Sequence, residues 1–189
     1  ARVDAGRAYL GGSIPSECAI HGFHSATLSE TGHQKTAALL TGTMGFRLAG
    51  PEDNRFRYAA GGGEPGATVD ILSIPEEPRG SVLAGAVHHI AWRTPDDAQQ
   101  REWHAEIARL GFNVSPVMDR KYFHSIYFRE PGGILFEIAT DAPGFAVDEP
   151  PEQLGTALVL PAWLESARPQ IEAALPPLRL PAAVVQPLS

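Results

Sequence analysis

The chain has 189 residues, 43% of them hydrophobic, which is enough for one sizeable core or for two small units sharing a sheet. Its net charge of -7, with no cluster of lysines or arginines, excludes nucleic acid and anionic membrane surfaces as partners and leaves small molecules. A single cysteine, Cys18, cannot close an intramolecular disulfide, and no apolar run reaches the length of a membrane span, so the expected location is the cytoplasm.

Residues 1–20 form a lead-in segment without the apolar core of a signal peptide, and the missing initiator methionine points to a native chain that begins earlier. "FHSATL" at 23–28 reads as a first strand, and "HQKTAALLTGTM" as a helix that stops at Gly45. "RFRYAA" and "TVDILSI" follow as strands. The same grammar then recurs. "HHIAWR" at 88–93 aligns with "FHSATL", "GFNV" at 111–114 with "GFRL" at 45–48, and "FEIA" at 136–139 with "VDIL" at 69–72. The offsets stay between 65 and 67 residues, which marks a repeat. In the second copy Thr94 is the expected N-cap, with Pro95 at the first helical position and Asp96 and Asp97 favouring the positive end of the helix. Trp103, Ile107 and Leu110 give this helix a face to bury, and Gly111 stops it. "HSIYFRE" and "GILFEIATD" are its later strands, joined by the turn "EPGG".

These elements predict an α+β protein with a lead-in at 1–20 and βαβββ modules at 21–84 and 85–141. A proline-rich tail at 142–189 carries a short helix around "PAWLESARPQIEAAL". Two such modules side by side make a curved, mixed, eight-stranded sheet with helices outside and a concave interior for a ligand or metal.

The adjacent histidines in "GAVHHIAWR" mark that interior. Strand alternation sends His88 with Ile90 and Trp92 to one face, and His89 with Ala91 and Arg93 to the other. By the repeat, His24 corresponds to His89 and Asp70 to Glu137, so four potential ligands converge. Two imidazoles and one carboxylate with open positions is the ligand set of non-haem Fe(II), which Mn(II) or Zn(II) would also accept. Glu137 stands in the apolar strand "GILFEIA", where a carboxylate needs a metal, an arginine or a proton. Arg120, Tyr122, His124, Tyr127 and Arg129 precede this strand and can line the pocket mouth. Tyr127 is suited to donate a hydrogen bond beside a metal.

"GFHSATL", "VHHIAW", "PVMDRKYFHSIYFREPGGILFEIATD" and "PGFAVDEP" resemble the vicinal oxygen chelate superfamily of glyoxalases, bleomycin-resistance proteins and extradiol dioxygenases. More narrowly, they resemble its hydroquinone-type ring-cleaving dioxygenases. The resemblance implies that His89 and Glu137 are iron ligands and that His88 lies beside the substrate. It also implies that Arg120 and Tyr127 bind and polarise a phenolic substrate. In that family the third ligand is a histidine near the start of a chain with about twice as many modules, in an N-terminal half absent here. His24 is the candidate third ligand if two modules suffice.

The expected function is therefore Fe(II)-dependent opening of a hydroquinone-type ring by O2, with a homodimer as the default assembly. One alternative is a glyoxalase-type isomerase or lyase using His24, Asp70, His89 and Glu137 around Zn or Ni. The other is a metal-free small-molecule binder of the bleomycin-resistance kind.

Overall fold

A computed structural model describes residues 15–78, 80–81 and 83–177. The predicted lead-in before residue 15 and the end of the tail after 177 lie outside the described residues. Strand β1 (Ser25–Glu30) is followed by helix α1 (Gln34–Gly42) and strands β2 (Arg47–Glu52), β3 (Arg55–Ala59) and β4 (Thr68–Ser73). The second unit repeats the order with β5 (Ile90–Thr94), α2 (Asp97–Arg109), β6 (Met118–Asp119), β7 (Phe123–Arg129) and β8 (Leu135–Pro143). A 3-10 turn at Ala162–Ala167 then leads into helix α3 (Arg168–Ala174), where the tail helix is predicted.

The strands form two four-stranded mixed sheets, ordered β1-β4-β3-β2 and β5-β8-β7-β6, in place of the single eight-stranded sheet expected. In each sheet the first strand runs parallel to the last, and the others pair antiparallel. The helix of each unit is the crossover that a parallel pair requires. β4 and β8 are inner strands, each flanked by a parallel and an antiparallel neighbour, and their sequences are correspondingly apolar in "TVDILS" and "LFEIAT". Each buries a carboxylate within this apolar stretch, Asp70 or Glu137.

The faces of the sheets turned away from these carboxylates build the core. Leu28, Val69 and Ile71 from the first unit and Ile126, Phe128, Phe136 and Ile138 from the second belong to one apolar cluster with Leu39, Leu40 and Ile107 of the helices. The cluster crosses between units where Phe46 meets Trp92 edge-on at 5.2 Å. A polar contact joins them as well: Thr36 Oγ1 lies 2.7 Å from Glu30 Oε2 and 2.5 Å from Glu130 Oε2, all three residues buried.

Local chemistry sets the helix ends. α2 begins two residues later than expected, with Asp96 as N-cap accepting from the Gln99 N–H at 2.9 Å. Thr94 stays in β5, because the residue before a proline is driven to extended backbone, and its hydroxyl donates to Gln99 Oε1. Ile107 is fully buried as predicted, whereas Leu110 is 41% exposed, since it falls at the C-cap where the chain leaves the helix. Gly111 and Gly45 both take positive φ, 89° and 74°, just past their helices. "GFNV" forms no strand. The equivalent of β2 is the two-residue β6 further on. Among the described residues no helix is long and apolar enough to cross a membrane.

Candidate metal centre

The register of the second sheet gathers one polar face. Ala91 and Tyr127 flank Glu137 on neighbouring strands, Ser125 pairs with Ala139, and Met118 pairs with Ser125. His89 precedes β5 and Arg120 follows β6, and their contacts bring both to this face, His89 to Glu137 and Arg120 to Tyr127. His89 Nε2 is 2.8 Å from Glu137 Oε2. Glu137 is only 3% exposed, and its other oxygen, Oε1, is buried without a hydrogen-bond partner. A buried carboxylate oxygen in that state is costly unless a cation or a donor completes it. The imidazole and the orphaned carboxylate oxygen suit a divalent metal ion of intermediate hardness.

Tyr127 flanks the pair, its ring edge-on to His89 at 5.9 Å. The phenol oxygen accepts from Ser125 Oγ at 3.2 Å and lies 3.5 Å from Arg120 Nη2, whose guanidinium sits 5.5 Å from the ring centre. With the oxygen acting as acceptor, its own hydrogen is available to a substrate. Nothing in the sequence pattern singled out Ser125, which is fully buried beneath the phenol. Its position two residues before Tyr127 on a strand was the available signal.

His88 and His89 do not diverge as strand alternation predicts. Both precede the hydrogen-bonded part of β5, where no pleat constrains them, and their Nδ1 atoms are 2.9 Å apart. His88 lines a cleft of about 560 Å³ with residues from both units, among them Ser29, Arg129 and Leu135. Arg120 lines a second cavity, of about 1190 Å³, bounded by the start of α2 and by Trp163. Neither His89 nor Glu137 lines either cavity.

The structure does not bring His24 to this pair. Thr27 stands opposite Asp70 as Ala91 stands opposite Glu137, so Ser25, not His24, occupies the position equivalent to His89. A one-residue slip in the repeat alignment moves every side chain to the other face. His24 is exposed at the start of β1, 3.3 Å from Ser25 Oγ. Among the described residues, no three His, Cys, Asp or Glu side chains converge on a metal position.

Asp70 is also removed from any ligand set. Arg57 Nε and Nη2 donate to its two oxygens at 2.7 and 2.8 Å, and Arg55 Nη1 donates at 2.9 Å. Hydrogen bonds from Arg57, then Arg55, hold its carboxyl below the usual carboxylate range against the opposing effect of burial. The other residues predicted for the pocket mouth have structural partners. His124 Nδ1 meets Asp97 at 2.7 Å, Tyr122 donates to Asp148, and Arg129 donates to the Gly133 carbonyl.

A family model described as the Glyoxalase/Bleomycin resistance protein/Dioxygenase superfamily matches residues 22–138, across both units. The chain belongs to this superfamily. Among superfamily proteins it is 47% identical over 169 residues to MhqO of Bacillus subtilis (strain 168), a protein provisionally named a ring-cleaving dioxygenase. That match covers 89% of this chain and 54% of MhqO. It is 33% identical over 162 residues to a chlorohydroquinone/hydroquinone 1,2-dioxygenase of Sphingobium indicum, covering 84% of this chain and 50% of that one. A crystal structure of a protein provisionally described as a dioxygenase from Bacillus subtilis subsp. subtilis str. 168 superposes with a TM-score of 0.86 at 46% identity. It covers 93% of this chain and 56% of that one. The chain thus spans about half the length of the curated relatives it matches.

Proposed function

We propose that this chain is the part of an Fe(II)-dependent ring-cleaving dioxygenase that contributes His89 and Glu137 to the metal and opens hydroquinone-type rings with O2. The observation that carries the reading is the Glu137 carboxylate, buried beside His89 Nε2 with one oxygen unpartnered. The relatives named as ring-cleaving dioxygenases supply the reaction class. What Fe(II) adds when bound is a path for electron density from the closed-shell ring to O2.

The protein side chains have separate tasks. Arg120 places a positive charge beside Tyr127 and favours the deprotonated phenolic substrate. Tyr127 turns its hydroxyl hydrogen toward a ring oxygen, because Ser125 already donates to the phenol oxygen. His88 faces the same substrate from the cleft between units. A third protein ligand comes from outside the described residues, since His24 is not gathered with the pair.

The glyoxalase-type alternative needs Asp70 as a fourth ligand, and Asp70 is occupied by Arg55 and Arg57. That only two ligand side chains converge among the described residues favours, as a second reading, the metal-free binder. Oxygen uptake with hydroquinone after anaerobic loading with Fe(II) separates the two. Chelator-sensitive uptake, lost in Glu137→Gln, supports the dioxygenase. Ligand binding indifferent to chelators, with no oxygen uptake, supports the binder.

A further inference from the structure

The contact between His88 and His89 fixes more than their proximity. Two imidazole nitrogens 2.9 Å apart are held together by one proton, carried by one of them and accepted by the other. Among the described residues, His88 Nδ1 is the one partner at His89 Nδ1, and the opposite ring nitrogen, Nε2, lies 2.8 Å from Glu137 Oε2. In the metal-free protein Nε2 carries the proton of this hydrogen bond, and a metal would displace that proton. A neutral imidazole that ligates a metal through Nε2 must carry its proton on Nδ1, and that N–H needs an acceptor. Among the described residues no carboxylate or carbonyl fills this role.

We infer that His88 is the positioning residue that holds His89 in the ligating tautomer by accepting its Nδ1–H, so that His88 carries its own proton on Nε2. The inference rests on the metal reading of His89 and Glu137. Its consequence for chemistry is specific. His88 is exposed, and it lines the cleft shared by both units. With metal bound, His88 presents an N–H donor and no free lone pair. It hydrogen-bonds an anionic oxygen of the substrate and cannot serve as general base. The base that accepts a substrate proton then lies elsewhere.

The test uses Zn(II), a diamagnetic probe, on the full-length protein, with zinc affinity and long-range proton–nitrogen-15 spectra of the histidines as readouts. His88→Ala is expected to weaken zinc binding by about 10- to 100-fold. His88→Asn, whose Oδ1 takes the place of Nδ1 as acceptor, is expected to recover most of it. In the zinc-loaded wild type, the spectra should show His89 protonated on Nδ1 and His88 on Nε2. Equal zinc affinity in wild type and His88→Ala, or a His88 Nε2 without a proton, overturns the inference and leaves the metal reading intact. Zinc binding unchanged by Glu137→Gln overturns the metal reading, and the inference with it.

Discussion

The two units place a carboxylate at the same point of the same inner strand and treat it in opposite ways. In the first, Arg57 stands across from Asp70 and Arg55 reaches it as well, so every oxygen is matched by a guanidinium donor. In the second, Tyr127 stands across from Glu137, and one carboxylate oxygen is left without a partner beside an imidazole. Similar backbones thus hold a completed ion cluster in one unit and an uncompleted one in the other. On the proposed reading, function is carried by the unit whose electrostatics is left unfinished.

The comparison predicts a crossed pattern of mutant effects. The largest is on chemistry: Glu137→Gln should reduce metal-dependent oxygen uptake to background while leaving the thermal midpoint of the metal-free protein close to wild type. Tyr127→Phe, which keeps the ring but removes the donor, should lower turnover by about a hundredfold with metal affinity unchanged, as measured by steady-state kinetics and metal titration.

Asp70→Asn should do the reverse of Glu137→Gln. It retains metal but costs about 1–3 kcal/mol in denaturant unfolding, a range reduced from that of a fully buried pair because both arginines are partly solvated. The same cluster sets an acid limit. Since the native Asp70 carboxyl lies below its ordinary value, its contribution is complete above that value and is lost as pH falls through the depressed native one. Unfolding measured from neutral pH down into the acid range should therefore show an acid-induced loss that is shallower in Asp70→Asn. The smallest effect is local. Asp96→Ala removes the α2 cap and should cost about 1 kcal/mol without altering metal binding.

Much of this was legible in the sequence because repeats, turn glycines and apolar strands act locally. The 65- to 67-residue repeat marks both units, and Gly45 and Gly111 mark the helix ends. Glu137 stands out as a charge inside an apolar strand. What could not be read directly was register. The alignment of His24 with His89 is off by one residue, and a period of two turns that small error into the wrong face. The fate of Asp70 was encoded in "RFR", two arginines on one face of a neighbouring strand, but their pairing appears only once β3 and β4 are set side by side. The His88–His89 contact was hidden for another reason. Alternation applies inside a hydrogen-bonded strand, and β5 begins at Ile90, after both histidines.

The most direct test of the account is anaerobic equilibrium dialysis of Fe(II) against the full-length wild type, Glu137→Gln and Asp70→Asn proteins, side by side. Stoichiometric iron is expected in the wild type and Asp70→Asn, and its loss in Glu137→Gln. Iron retained by Glu137→Gln, or lost from Asp70→Asn with the fold intact, would contradict it.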